Sequence, residues 1–285
     1  MHQIKTICVC GAGTMGSGIA QLCAASGYDT LLFDLNHAAL VKSGQAITER
    51  WQGQVEKNKI NQNDLHAYKN NLRFSSNIND CKADLVIEAI IERASAKVDL
   101  FQQLAAINPI NTLFVSNTSS ISINQIAAKL EDPFRFAGMH FFNPATLMQL
   151  VELVKADQTS EAMIKLLQAF VQSLGKTSVI CKDSPGFIVN RVARPYYLES
   201  LRMLEQGTAD LATIDQALEA TGFKMGPFKL MDLIGIDINY SVSNIVWDAL
   251  GKPIRLQPSP IQQQKIELQE LGRKTEKGFY SYPKK

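Results

Sequence analysis

No apolar run in this 285-residue chain approaches the roughly 18–20 residues of a membrane span. No membrane partner is expected. Neither sign of charge dominates, since 29 Lys and Arg stand against 27 Asp and Glu and leave +2. That balance gives no overall field for nucleic acid or for an anionic surface. Cysteine is scarce: Cys8, Cys10, Cys23, Cys81 and Cys181 are odd in number and scattered. Cys8 and Cys10 alternate on an expected strand and are read as pointing to opposite faces. No second pair or histidine cluster completes a metal site, so no metal is expected. Unpaired thiols suit a reducing compartment. The N-terminus, Met1-His-Gln-Ile-Lys5, runs straight into a strand without a signal-peptide pattern, and a cytoplasmic location is the expectation. Internal repeats and low-complexity segments are also missing.

What is present is 46% hydrophobic residues, enough for one large or two modest domains. Short apolar runs at 5–10, 29–34, 84–91, 112–116, 134–140 and 177–181 read as strands. Helical patterns separate them, the clearest at 160–174, where Met163, Leu166, Leu167, Phe170, Val171 and Leu174 share one face. Residues 37–70 read as a polar helical insert. Beyond Ser184-Pro-Gly186 only helices are expected: 187–205, 213–221 with a Thr213-x-x-Gln216 capping box, 228–250 broken near Gly235, and 260–271. The fold class is therefore α/β, a Rossmann-type doubly wound, mostly parallel sheet over 1–183. A smaller all-helical domain follows over 184–285.

Gly11-Ala12-Gly13-Thr14-Met15-Gly16 follows the first strand and opens the first helix, and Asp34 ends the second strand. In that context Gly-x-Gly-x-x-Gly is a dinucleotide site. Gly11 permits the turn, Gly13 admits the pyrophosphate to the helix N-terminus, and Gly16 allows close packing. Asp34 would accept the adenosine ribose hydroxyls. No Arg follows it in Leu35-Asn36-His37, so NAD is favoured over NADP.

His140 lies inside the apolar run Arg135–Pro144, and Glu152 inside Met148–Val154. An ionisable group within a core segment needs a partner. The break at Asn143-Pro144 lets the second run return beside the first, bringing imidazole to carboxylate. A histidine so held is a general base near neutral pH.

With these features together, the sequence resembles the L-3-hydroxyacyl-CoA dehydrogenase family in its short, two-domain, 3-hydroxybutyryl-CoA dehydrogenase form. The resemblance spans nearly the whole chain. It rests on Gly11–Gly16, Asp84-Leu-Val-Ile-Glu-Ala89, Ser116-Asn-Thr-Ser-Ser120, Arg135–Pro144, Leu150-Val-Glu-Leu-Val154, Ser184–Arg191, Met225-Gly-Pro-Phe228 and Gly278-Phe-Tyr280. It implies NAD-dependent oxidation of (S)-3-hydroxyacyl-CoA thioesters, with His140 as base and Glu152 as its partner. Ser119 and Asn143 would position the substrate's 3-oxygen and thioester and touch the nicotinamide, and Asn190 would face the same cleft. Glu92 and Lys97 would lie along the cofactor, Lys274 near its nicotinamide end, and Lys57 at the coenzyme A nucleotide. Lys59, Lys69 and Arg73 make that end of the insert basic. The resemblance also implies a homodimer through the helical domain and a hinge near Ser184-Pro-Gly186.

Two residues depart from the family pattern. Lys229 replaces an acidic residue after Gly-Pro-Phe, and Glu276 replaces a small residue near the end. Two other readings stand beside the leading one. A dehydrogenase of a free sugar acid such as L-gulonate would share the fold. A non-catalytic NAD-binding protein would explain the glycine turn but not the His–Glu pair.

Overall fold

A computed structural model describes residues 4–283. Residues 1–3 of the N-terminal segment discussed above lie outside the described residues. The chain forms two compact units, Met1–Ser184 and Pro185–Lys285. None of its helices is long and apolar enough to cross a membrane, among the described residues.

The first unit holds strands β1 (Thr6–Cys10), β2 (Asp29–Phe33), β3 (Leu72–Ser75), β4 (Leu85–Glu88), β5 (Leu113–Ser116), β6 (Phe136–Phe141), β7 (Leu150–Lys155) and β8 (Thr177–Lys182). Helices α1 (Thr14–Ala25), α2 (His37–Glu56), α3 (Gln62–Asn70), α4 (Ala94–Ile107), α5 (Ile123–Ala127) and α6 (Glu161–Ser173) connect them. The eight strands make one sheet in the order β3-β2-β1-β4-β5-β6-β7-β8. All neighbours are parallel except β6 and β7. The order reverses between β1 and β4, and ligands of open α/β sheets bind there, at the carboxyl ends. Ile7, Val9, Ile19, Leu32, Ile87, Val115, Met139 and Leu167 belong to the core on one side of this sheet.

The insert is the helical hairpin α2–α3. Asn36 caps α2 by accepting from the N–H groups of Ala38 and Ala39, and Asn61 and Asp64 cap α3 reciprocally. Trp51, buried, packs against Tyr68 at 5.7 Å. The edge strand β3 had no sequence signal: only Leu72 of its four residues is buried, so no alternation marks it. Its Arg73 grips Asp29 of β2 with a forked pair.

One expectation is corrected. Cys8 and Cys10 do not point to opposite faces, because side chains two apart on a strand project to the same side. Their sulfurs are 3.8 Å apart.

The second unit contains α7 (Val189–Glu205), α8 (Leu211–Ala220), α9 (Pro227–Ile234), α10 (Ile236–Ala249) and α11 (Pro260–Glu267) around Tyr197, Leu201, Phe228, Met231, Ile236 and Val246. Gly235, at φ 104°, makes the break between α9 and α10. The capping box expected at Thr213 is not used as such. The helix begins two residues earlier, and Asp210 accepts from the Thr213 N–H. Asp232, 1% exposed, accepts from the N–H groups of Phe279 and Tyr280 and from the Tyr282 hydroxyl, each at 2.9 Å. A Cβ on Gly278 would lie 2.0 Å from that carboxylate, so the glycine of the terminal motif is a steric requirement.

Asp232→Ala would leave three donors without their acceptor. It should destabilise the helical unit by about 2–4 kcal/mol. Hydrogen exchange should quicken over residues 272–283, and unchanged exchange there would contradict the latch.

Candidate active site

The glycine turn sits where β1 hands over to α1, beside the end of β4. Gly11 has φ 108°, and a Cβ there would meet the Ala89 carbonyl oxygen at 2.5 Å. A Cβ on Gly16 would stand 1.8 Å from the Gly11 oxygen. Gly13 is different, since nothing lies within 4 Å of where its Cβ would be. It caps α1 with no side-chain hydrogen bond, and the first turn carries no acidic residue. Thr14 and Met15 continue that first turn. The helix therefore presents N–H groups and a positive dipole end beside open space, the setting a pyrophosphate needs. Asp34, just past β2, accepts from the Ala12 N–H at 2.7 Å and from the Asn36 N–H at 2.8 Å. A carboxylate has about four acceptor positions, so capacity remains for ribose hydroxyls. These residues fit NAD.

Below the turn lies a buried ionic network. Glu88, fully buried at the end of β4, accepts from Lys97 at 2.5 Å, from the Ser116 hydroxyl at 2.5 Å and from the Ile90 N–H at 2.7 Å. The Lys97 ammonium, equally buried, reaches Glu92 at 3.1 Å. Glu92 accepts from the hydroxyls of Thr118 and Ser120 and from the Ser119 N–H. Burial pushes the Glu92 carboxyl up, but the Lys97 charge and these hydrogen bonds outweigh it and hold it below the usual carboxylate range. Lys97 is 1% exposed, and its ammonium is met by Glu88 and Glu92. Glu88, Ser116 and Thr118 were given no role from sequence. The rule that found His140 would have found Glu88, an acid inside a four-residue apolar strand.

His140 and Glu152 are register partners across the antiparallel pair β6–β7. Their side chains leave the same face, and Nδ1 lies 2.8 Å from Glu152 Oε2. His140 is 6% exposed and Glu152 0%. The Phe142 ring lies 4.5 Å from the imidazole, centre to centre. Next to it, the Phe141 N–H donates to Asn117 Oδ1 at 2.8 Å, tying the end of β6 to the loop after β5. With Glu152 accepting the Nδ1 proton, Nε2 is the basic nitrogen.

The structure thus assembles two groups: His140 with Glu152, and Glu92 and Lys97 with the backbone of Ser119. Asn143 is exposed, on a cis peptide to Pro144. Lys57 and Lys59 lie exposed at the tip of the α2–α3 hairpin. Asn190 and Lys274 belong to the second unit. The Asn190 carbonyl accepts from Arg194 Nε at 2.9 Å, and the Lys274 ammonium sits 2.6 Å from both oxygens of Asp237.

Residues 6–184 match the 3-hydroxyacyl-CoA dehydrogenase NAD binding domain, and residues 186–282 match the 3-hydroxyacyl-CoA dehydrogenase C-terminal domain. The 3-hydroxyadipyl-CoA dehydrogenase of Escherichia coli K12 is 43% identical across 99% of this chain. The chain spans 60% of that relative's length. The mitochondrial hydroxyacyl-coenzyme A dehydrogenase of Rattus norvegicus is 40% identical, with 98% of this chain and 91% of the relative covered. The solved (S)-3-hydroxybutyryl-CoA dehydrogenase of Ralstonia eutropha superposes with a TM-score of 0.94 at 35% identity, covering 99% of this chain and 100% of its own.

The glycines give a graded test. Gly16→Ala should abolish a stable fold of the first unit, because the clash is with backbone. Gly13→Ala should melt within a few degrees of wild type yet bind NADH at least about tenfold more weakly, since a tenfold loss needs only 1.4 kcal/mol of lost approach. Titration of NADH by fluorescence decides it, and undiminished affinity in Gly13→Ala would refute the pyrophosphate placement.

Proposed function

The chain belongs to the 3-hydroxyacyl-CoA dehydrogenase family, and from that premise we propose that it interconverts (S)-3-hydroxyacyl-CoA and 3-ketoacyl-CoA with NAD. The observation that carries this reading is the buried contact between His140 Nδ1 and Glu152 at 2.8 Å. Bound NAD supplies the hydride acceptor. His140 does the proton work: Nε2 takes the proton of the substrate's 3-hydroxyl as the carbon is oxidised. In the reverse direction the imidazolium returns it to the developing alkoxide. Glu152 keeps the proton on Nδ1 and balances the imidazolium charge, the base-and-orienter arrangement of hydrolase triads. Phe142 lies against the imidazole on an apolar side.

Asp34 sets cofactor choice. Its remaining acceptor capacity suits two ribose hydroxyls, and its charge repels a 2′-phosphate. Ser119 and Asn143 are the proposed contacts to the substrate oxygen and the thioester. The exposed Lys57 and Lys59 suit the phosphates of coenzyme A, whose binding energy would position the reacting carbon. We also propose a homodimer and a cytoplasmic location. The second unit exposes Val192, Phe223, Leu233 and Ile238, and all five cysteines are free thiols.

His140→Gln should lower kcat by about 10²–10⁴-fold, the usual worth of general acid–base catalysis, while NADH still binds. Glu152→Gln should lower kcat as well and change the pH–rate profile. A His140→Gln enzyme with half of wild-type turnover would end the assignment.

Substrate and cofactor choice are tested in one steady-state panel. Acetoacetyl-CoA should be reduced efficiently, and free acetoacetate poorly. NADH should be preferred over NADPH by at least about tenfold in kcat/KM, or roughly 1.4 kcal/mol. Lys57→Ala should raise KM for the thioester more than for NADH. Equal kcat/KM for L-gulonate and 3-hydroxybutyryl-CoA would overturn the thioester reading.

A further inference from the structure

Cys8 and Cys10 of β1 share their side of the sheet with a third thiol, Cys81, from the loop before β4. All three residues are 0% exposed, and their sulfurs lie within 4.8 Å of one another. Among the described residues no other trio of His, Cys, Asp or Glu has its ligand atoms so placed. We propose that Cys8, Cys10 and Cys81 form a binding site for a soft monovalent cation, copper(I), held by three sulfurs.

The geometry suits three-coordination. With a metal–thiolate bond of about 2.3 Å, a trigonal plane places its sulfurs ~4.0 Å apart. Cys8 and Cys10 already stand at 3.8 Å, and the Cys81 sulfur lies within 4.8 Å of both. The scaffold is fixed. β1 is paired on both sides, to β2 and to β4. Cys81 is held by its N–H to the Ile78 carbonyl at 3.0 Å and by its carbonyl, which accepts from Asn108 Nδ2 at 2.8 Å.

The donor set selects the ion. Three sulfurs without an oxygen or imidazole exclude calcium and magnesium and favour a soft cation. Structural zinc needs a fourth ligand. The nearest acid in register is Glu88, opposite Cys10 on β4, and it is committed to Lys97, Ser116 and the Ile90 N–H. Each coordinated thiol releases its proton to solvent as the ion enters. Cys23 is the internal contrast. It is as deeply buried but stands apart in α1, outside the trio.

The test uses the full reduced chain under anaerobic conditions. Copper(I) is added as its acetonitrile complex and competed against a colorimetric copper(I) chelator. One ion per chain is expected, and X-ray absorption should give a sulfur-only shell at about 2.3 Å. Cys8→Ser, Cys10→Ser and Cys81→Ser should each weaken binding by at least about tenfold, a floor set by what even outer-shell changes cost metal sites. Cys23→Ser and Cys181→Ser should bind like wild type. NADH binding reports folding of each variant. If a β1 variant fails to fold, Cys81→Ser, in a loop, decides alone. Undiminished copper affinity in Cys81→Ser overturns the site. So does no retention against the chelator, a shell rich in nitrogen or oxygen, or displacement of copper(I) by equimolar zinc.

Discussion

The carboxylate of Glu152 is wholly buried in the middle of a strand, and a buried charge must be met by a partner. Removing the partner of such a group costs about 3–5 kcal/mol. Glu152 can meet His140 only because β7 runs antiparallel to β6, in a register that sets the two residues opposite each other. A slip by one residue would turn every side chain of β7 to the other face of the sheet. Val151 and Leu153 would then trade faces with Glu152, and the carboxylate would lose His140. The need to match the buried charge therefore bears on the register, so folding the strand correctly also builds the acid–base pair.

The same constraint recurs two strands away, with a different outcome. At the end of β4, Glu88 is matched by Lys97 from α4 and by Ser116 from β5, and Lys97 then engages Glu92. This network joins the carboxyl ends of two strands to the helix between them. Its members are satisfied by one another. The glycine turn just above is held by the Ala12 N–H bond to Asp34, by the Gly11 N–H bond to the Phe33 carbonyl and by sterics. Gly11 and Gly16 admit no side chain, while Gly13 leaves the α1 N-terminus uncovered. One end of the sheet thus carries a rigid, self-satisfied floor beneath a helix end with N–H groups to offer.

Most of this frame is legible in the sequence because it follows from short-range patterns. Strands β1, β2, β4, β5, β6 and β8 announce themselves as apolar runs, and the glycine spacing fixes the turn between the first strand and its helix. The pairing of His140 with Glu152 follows from two ionisable residues inside apolar runs joined by a break. Other features depend on tertiary context. β3 buries one residue and so has no period to detect. The start of α8 turns on which polar side chain reaches the first free N–H, and Asp210 does so before Thr213 can. Cys81 lies more than seventy residues from Cys8, and no local pattern joins them. Ser119, Asn143 and Lys57 sit on loops and a hairpin tip, where position relative to a substrate is not encoded by periodicity.

Lys229 and Glu276, which the resemblance sets apart, both sit where backbone hydrogen bonds hold the helical unit. At Lys229 the structural work is done by the backbone N–H, which donates to the buried Asp215, while the side chain reaches only a partly exposed Glu219. The ammonium can replace a carboxylate there without leaving a buried group unmatched. Glu276 adopts φ 62°, which costs a residue with a Cβ about 1–2 kcal/mol. The turn persists because its ends are held elsewhere. The Tyr282 N–H donates to the Glu276 carbonyl, and Asp232 grips Phe279, Tyr280 and Tyr282. Buried acids such as Asp215 and Asp232 carry the backbone of this unit. Gly278 serves the same latch, since its missing side chain makes room for the Asp232 carboxylate.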